Sequence, residues 1–468
     1  MLITLAGRLV QFGLLLVNIK VMTSLLVPTQ YGLMSLYLAI NLFFGFVFVN
    51  PVGTYINRHL RLWQGEGLLY SKFRLFLPYW AFLAIACFVG LIVARAAGLL
   101  FEDESLWALL ICSLLVLSST LFNTLVPSLN LLGHDKSFVI LTVVTSALGL
   151  ALSSLFVMIF EANAGNWLAG LVLSQVLGTC FSFAFYKRLG LKKTTSQAEP
   201  IIQVLSKSVF PYAWPVLLYT LLIWSSFQAY RFVIEEYFSL LELGLVVAGY
   251  SVAIQIIAAT EQIANTWFLP RFYAECDSPN PAVRSQATAK YVCSMATPVI
   301  LALFAVLTGA DLLIKIMLGA AYQDTKIYLL LGVLIEAFRV VANATGLRFH
   351  QSRQTSRLVW PAFCALLLII VLVAIQDLTL VSIMVSMIAG AIFLLVLMFD
   401  KSLLLNVFTA GARQFKVFPA ALLVLVFLGL VVLKPYLEFQ FYSALWVVLW
   451  ALVGASYLRS VLKQVKQQ

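Results

Sequence analysis

Apolar runs of about 20 residues recur along the whole chain, and they constrain the fold more than any other feature. A helix of that length crosses a hydrocarbon core of about 30 Å. Because the runs are continuously apolar, with no period of two, they predict transmembrane helices rather than the strands of a membrane barrel. Of the 468 residues, 62% are hydrophobic and only 10% are charged, which excludes a water-soluble domain.

The predicted fold is an all-α membrane protein with about fourteen transmembrane helices: two six-helix lobes and two additional C-terminal helices. The longest charged stretch lies between the two blocks of six. The predicted domains are therefore residues 1–190, a cytoplasmic linker at 191–207, residues 208–400, and a final pair of helices in 401–468. The predicted spans lie near Leu2 to Leu26, Tyr31 to Val49, Leu75 to Ala97, Leu106 to Leu125, Phe138 to Phe160, Trp167 to Tyr186, Phe210 to Phe232, Leu243 to Leu269, Tyr291 to Gly309, Ile327 to Leu347, Leu358 to Ile375, Leu378 to Phe399, Phe418 to Leu433 and Phe441 to Leu458.

The connections between these spans alternate in charge. With the N-terminus inside, the even-numbered connections and the C-terminal tail hold most of the 30 Lys and Arg residues, while the odd-numbered connections are mainly acidic. Cytoplasmic loops carry the excess of Lys and Arg, so both termini are predicted to be cytoplasmic. Dropping one span would exchange the sides of every later loop, and the alternation therefore supports an even number of spans.

Other patterns in the sequence exclude functions. The six cysteines show no CxxC spacing, so neither a disulfide framework nor a metal site is predicted. His59, His134 and His350 lie beside basic residues in polar connections, and we assign them no chemistry. The net charge of +11 is spread among short connections, so nucleic acid is not an expected partner. No GxxxxGK[ST] sequence for ATP phosphates occurs, and no cofactor is expected.

Three short motifs lie at corresponding places in this layout. They are Leu25-Leu26-Val27-Pro28-Thr29-Gln30-Tyr31-Gly32, Val247-Ala248-Gly249-Tyr250-Ser251-Val252-Ala253 and Leu318-Gly319-Ala320-Ala321-Tyr322. With the span pattern, they resemble the polysaccharide or oligosaccharidyl-lipid flippases of the MOP exporter superfamily, of the O-antigen or exopolysaccharide translocase type. Val27 stands where that family usually has glycine. The resemblance implies a MATE-like fold in the inner membrane of a bacterium, with two lobes related by a pseudo-two-fold repeat.

The two lobes also show a weak internal similarity. Lys20 is followed by Gly32 twelve residues later, and Arg231 is followed by Gly244 thirteen residues later. Both pairs lie near the outer end of the first span of a lobe. An internal duplication explains this pattern, although two such matches can also arise by chance. Transporters built from repeats place their binding site between them.

Charged residues occur inside or close to the predicted spans, where each costs about 2.5–3.5 kcal/mol at the helix centre. They are Arg8, Lys20, Arg231, Glu261, Glu336 and Arg339. Arg8, Lys20 and Arg231 could extend along the helix surface to the membrane interface. Glu336 and Arg339 share one helix face and could form an ion pair that only holds helices together. Glu261 lies beside Thr260, Gln262 and Asn265, in a patch better explained by a cavity wall.

The resemblance implies a function for these charges. Lys20, Arg231 and Arg339, with Arg8, would line a cationic cavity for the anionic pyrophosphate head group of a lipid-linked oligosaccharide, while the polyprenyl tail stays in the membrane lipid. Glu261 and Glu336 would couple transport to protons or sodium ions, and Glu261 is the better candidate because its own helix holds no basic residue within one turn. The protein would not be an enzyme.

Two other functions remain open at this point. A MATE-type multidrug exporter would have the same lobes but favour an acidic cavity. A polysaccharide polymerase or ligase would need a sizeable external loop, and the external connections here are short and acidic. A flippase for the peptidoglycan precursor is a close relative within the favoured class, and fourteen spans fit it equally well.

Overall fold

The structure, a computed structural model, describes residues 2–102, 104–189, 210–276, 278, 280–352, 354–400, 403–407, 409, 430 and 439–466. Helices account for nearly all of these residues, and the described part of the chain contains no strand. In chain order they are α1 (Leu2–Leu25), α2 (Pro28–Phe44), a π-helical turn (Gly45–Val49), α3 (Asn50–Gly65), α4 (Leu69–Ala96), α5 (Leu106–Leu131), α6 (Asp135–Ile159), α7 (Ala164–Leu189), α8 (Phe210–Phe227), α9 (Tyr230–Tyr237), α10 (Leu240–Cys276), α11 (Pro281–Met317), α12 (Lys326–Gln351), α13 (Val359–Ile375), α14 (Leu380–Met398) and α15 (Phe439–Lys466).

The predicted all-α membrane fold is confirmed. Within the described residues, eleven helices are long and apolar enough to cross a membrane, and two shorter apolar stretches lie at Val10–Leu25 and Tyr442–Gly454. Every predicted span coincides with helix except the one near Phe418 to Leu433, which lies outside the described residues apart from Leu430. The chain is therefore a multi-pass membrane protein.

One connection that the sequence analysis treated as a polar loop is a helix. α3 continues from α2 through the π-helical turn, at the point where Pro51 removes a backbone donor. Its apolar residues recur at helical spacing and pack into a buried cluster with residues of α4 and α5. His59 therefore lies on a half-buried helix and not in a loop, with its ring nitrogen Nδ1 2.8 Å from the Tyr55 carbonyl oxygen. His350 likewise lies within α12.

The helices group into two compact units, Met1–Val247 and Ala248–Gln468. In the first unit, α6 packs along α7, α5 packs on both α4 and α7, and α1 packs on α6. In the second unit, α12 packs on α11 and α14, α13 packs on α14, and α15 packs on α11. The residue ranges predicted for the lobes, the linker and the final pair of helices remain predictions.

α11 and α15 are joined by polar groups as well as by apolar packing. The Tyr442 hydroxyl donates to the Thr308 carbonyl oxygen at 2.8 Å. The ring N–H groups of Trp446 and Trp450 donate to the Thr308 hydroxyl at 3.0 and 3.1 Å. These bonds hold the last described helix against α11, because apolar surface alone gives little preference for another helix over lipid.

Two glycines that the sequence analysis matched by position meet each other in the first unit. A side chain added at Gly32 would overlap the Leu240 carbonyl oxygen and lie 3.0 Å from the Gly244 nitrogen. One added at Gly244 would overlap the Pro28 carbonyl oxygen and lie 3.1 Å from the Gly32 nitrogen. Each glycine thus faces the carbonyl group four residues before the other. Such a reciprocal contact between the first turns of α2 and α10 is the pattern that a local two-fold axis produces.

Replacing Gly244 with alanine is expected to destabilise the protein by about 1–3 kcal/mol, because the added methyl group would overlap backbone that cannot rotate away. The measurement is the thermal unfolding midpoint of the purified protein in detergent. Gly90→Ala in α4 is the matched control, since nothing lies within 4 Å of a methyl group there. Equal midpoints for the two variants would show that the α2 and α10 backbones are not in close contact.

Candidate functional site

The charged residues predicted to lie in the membrane fall into two groups. Arg8, Lys20 and Arg231 belong to the first unit, and the other three belong to the second. The side chain of Arg8, on α1, lies outside the described part of the structure. Lys20 is half-buried on the same helix, where its carbonyl oxygen accepts a bond from the Ser24 hydroxyl at 2.7 Å.

Arg231 is the most deeply buried of the cations described in the first unit. Its exposed fraction is 6%. Nη1 donates to the Ser35 carbonyl oxygen of α2 at 3.3 Å, Nε lies 3.4 Å from the Tyr230 hydroxyl, and the guanidinium carbon lies 5.6 Å from the centre of that tyrosine ring. These partners are all neutral, and among the described residues no carboxylate lies within ion-pair distance of Arg231. Within the described part of the chain, the guanidinium group is therefore held by neutral groups only.

α9 begins after a two-residue interruption, Gln228 and Ala229, that follows α8. α8 is continuous through Pro215, and the interruption comes at its other end, immediately before Tyr230 and Arg231. From this position the Arg231 guanidinium group contacts α2.

In the second unit, Glu336 and Arg339 of α12 form the predicted ion pair. Arg339 Nε donates to Glu336 Oε2 at 3.0 Å, and Nη2 of the same guanidinium contacts the same oxygen. The other carboxylate oxygen accepts from the Tyr250 hydroxyl of α10 at 2.8 Å. Glu336 is only 3% exposed, so its two carboxylate oxygens contact a cation and a hydroxyl group in place of water.

Glu261 lies on α10, three helical turns after Tyr250, and is half-buried. One turn further along α10, Asn265 Oδ1 accepts from the Tyr291 hydroxyl of α11 at 2.6 Å. The hydrogen bonds of Tyr250 and Asn265 thus join α10 to both α12 and α11 in a polar network inside the second unit.

The first unit contains polar residues that the sequence analysis did not single out. The Ser119 hydroxyl donates to Asn41 Oδ1 at 2.7 Å, and the Ser118 hydroxyl donates to Gln175 Oε1 at 2.9 Å. These bonds link α5 to α2 and to α7. The signal was present as a run of three hydroxyl residues, 118–120, inside an apolar span. Asn41 also lies one turn before the π-helical turn, a distortion frequent at functional sites.

The two tryptophans of α8 have different surroundings. Trp214 is half exposed. Trp224 donates its ring N–H to the Ala39 carbonyl oxygen at 3.0 Å, and its ring centre lies 5.0 Å from that of Phe43 in an edge arrangement. Trp224 therefore fastens α8 to α2, and this packing role accounts for its position.

The arrangement of helices defines the class: the chain has the fold of polytopic membrane transporters. It is similar to the structure titled lipid II flippase MurJ in an inward closed conformation, with 11% identity and a TM-score of 0.66, over 98% of this chain and 99% of that one.

It is also similar to two MATE structures. An inward-facing multidrug resistance MATE transporter of the MOP superfamily matches with 13% identity and a TM-score of 0.51, over 87% of this chain and 95% of that one. A MATE protein in the bent conformation matches with 14% identity and a TM-score of 0.51, over 88% of this chain and 94% of that one. No protein-family model and no curated protein matches the sequence. The MATE-like fold predicted from the sequence is confirmed.

Proposed function

We propose that this protein is a flippase that moves a polyprenyl-pyrophosphate-linked oligosaccharide across the cytoplasmic membrane of a bacterium, for cell-surface polysaccharide synthesis. The observation that carries the proposal is Arg231, a buried cation in a membrane-spanning region whose described partners are neutral. The full-length similarity in fold to a lipid II flippase supports it.

An uncompensated arginine in the membrane is costly, and such residues typically face a substrate or ion pathway. A pyrophosphate group would offset that cost, because arginine donates paired, charge-assisted hydrogen bonds to phosphate oxygens. A cationic drug would instead be repelled. Arg231 therefore favours an anionic cargo over the multidrug alternative.

Lys20 and Arg8, on α1 of the same unit, are proposed to take part in binding the head group. Arg339 is proposed as well. Two of its nitrogens, Nε and Nη2, already contact Glu336. The polyprenyl tail would remain in lipid while the polar head group crosses. The site would open alternately to each side of the membrane, as alternating access requires.

The direct test is transport in liposomes. A fluorescent polyprenyl-pyrophosphate oligosaccharide is placed in both leaflets, and a reductant that cannot cross the membrane is added outside. Without protein, only the outer-leaflet half of the fluorescence is lost. With this protein, nearly all should be lost. Loss limited to the outer leaflet, together with uptake of a cationic dye, would point to the multidrug alternative, and lengthening of the oligosaccharide would point to a polymerase.

Orientation is proposed from the charge alternation of the connections. Reporters fused within residues 192–199 and after Gln468 are expected to be cytoplasmic, and a reporter near residue 103 is expected to be external. An external reporter after Gln468 would contradict the fourteen-span topology.

Glu261 is proposed as the group that couples transport to a proton gradient. Glu261 is a half-buried carboxyl group on a helix long and apolar enough to cross the membrane, and ionisable groups in such positions typically mark proton or ion pathways. Glu261→Gln should keep substrate binding largely intact and remove the response of transport to an imposed pH gradient. Glu275→Gln on the same helix is the control, because Glu275 forms a half-exposed ion pair with Lys290 away from the network. If Glu261→Gln responds to the gradient as the parent protein does, Glu261 is not the coupling group.

A further inference from the structure

A cavity of about 450 Å³ lies at one end of the second unit. The C-terminal ends of α10, α12 and α14 meet there with the N-terminal end of α11. Among the described residues, its lining includes three arginines, Arg284, Arg348 and Arg357, and one acidic residue, Asp400. The cavity therefore carries a net positive charge, and it is distinct from the buried network around Glu261 and Glu336.

Asp400 is already occupied by structural contacts. Its Oδ1 accepts from the Leu403 backbone at 2.7 Å, which caps the short helix at residues 403–407. Its Oδ2 pairs with Arg348 Nη1. Arg348 Nη2 donates in turn to the Met398 carbonyl oxygen at 2.6 Å. This pair holds the end of α12 to the end of α14.

The remaining two arginines have no such partner. Arg284 lies near the N-terminus of α11 and Arg357 in the turn that precedes α13, and both are exposed. Among the residues that the structure describes, neither forms an ion pair. Ser285 adds a hydroxyl group to the same wall, whereas the Thr288 hydroxyl already donates to the Arg284 carbonyl oxygen at 2.9 Å. Two cations, the Ser285 hydroxyl and the positive end of a helix dipole converge on one space.

We infer that this cavity binds a phosphate group, either that of an anionic phospholipid head group or that of a free phosphate ester. Arginine forks and hydroxyl groups are suited to phosphate oxygens, and basic pockets between the ends of transmembrane helices bind the head groups of anionic lipids. The lining of the cavity contains none of the residues proposed to bind the head group or to couple transport, so the inference does not depend on the identity of the cargo.

The test is native mass spectrometry of the full-length protein in detergent, titrated with phosphatidylglycerol, with phosphatidylcholine, or with glycerol phosphate. Arg284→Ala combined with Arg357→Ala should weaken phosphatidylglycerol binding about 30-fold, equivalent to about 2 kcal/mol. Phosphatidylcholine binding should be weak and unchanged. The unfolding midpoint of each variant is measured alongside, and it should not fall, since both side chains are exposed.

The matched control is Arg61→Ala combined with Arg188→Ala, which removes two exposed arginines of the first unit. It should retain phosphatidylglycerol binding. Glycerol phosphate that displaces the lipid at a similar concentration would identify a free phosphate ester as the ligand, and failure to displace it would identify the lipid. Unchanged lipid binding in the Arg284 and Arg357 variant, or an equal loss in the control, would overturn the inference.

Discussion

Replacing Arg231 with alanine is expected to reduce glycan transport at least about 30-fold, equivalent to about 2 kcal/mol, while the protein stays folded in the membrane. Transport is expected to fall without loss of the fold because the partners of Arg231 are neutral. These partners are a backbone carbonyl and a tyrosine hydroxyl, so removing the guanidinium group leaves no buried charge behind. A neutral hydrogen bond contributes only about 0.5–1.5 kcal/mol to stability. The transport defect would then report the missing positive charge.

The measurement is the liposome assay described above, with protein amount determined in each preparation. Arg231→Lys is the informative control, because it keeps the charge and loses the forked donor; it should recover part of the transport. Arg231→Glu should be worse than alanine because it would repel a pyrophosphate group. Full transport by Arg231→Ala would remove the main support for an anionic cargo.

Replacing Glu336 with glutamine is expected to destabilise the protein by about 3–5 kcal/mol. The carboxylate is buried and accepts from both Arg339 and Tyr250, so its loss leaves Arg339 without its counter-charge inside the membrane region. The thermal unfolding midpoint in detergent is the measurement. Tyr250→Phe should cost less, about 1.5–3 kcal/mol, since it removes one hydrogen bond to a charged group and leaves the ion pair in place.

A double variant separates the two roles still open for this ion pair. Glu336→Gln combined with Arg339→Met leaves no unpaired charge and should recover most of the lost stability. If Arg339 binds the substrate, this folded double variant will not transport. If the pair only stabilises α12 and its contact with Tyr250 of α10, the double variant will both fold and transport. A double variant as unstable as Glu336→Gln alone would contradict the ion-pair explanation of stability.

The helical type and the order of the spans within the described residues could be predicted because the membrane allows few alternatives for an apolar segment. A span of about 20 apolar residues has no stable alternative to a helix in lipid, so composition alone specifies it. This rule does not identify α3, because α3 lies at the end of a span and mixes apolar and polar residues. Its apolar positions, at Val52, Ile56, Leu60 and Trp63, recur at helical spacing and were the signal that could have identified it.

The candidate site was predictable only in part. Embedded charges are conspicuous in an apolar sequence, and the i, i+3 spacing of Glu336 and Arg339 led directly to their ion pair. The neighbours of Glu261 could not be found in the same way. Tyr291, which bonds to Asn265 one turn from Glu261, belongs to another helix, and a helical period carries no information about which helix will pack beside another.

The sequence by itself thus determined that this chain crosses a membrane many times, which segments do so, and which charges the membrane must accommodate. Only the tertiary structure decided which partners those charges have: Ser35 for Arg231 and Tyr250 for Glu336. It also decided the close contact of Gly32 with Gly244. The physical reason is the separation in sequence over which each interaction acts. Burial in lipid and helical hydrogen bonds act on each segment separately, whereas side-chain partners depend on helix packing, which small residues and a few polar contacts set across long separations in sequence.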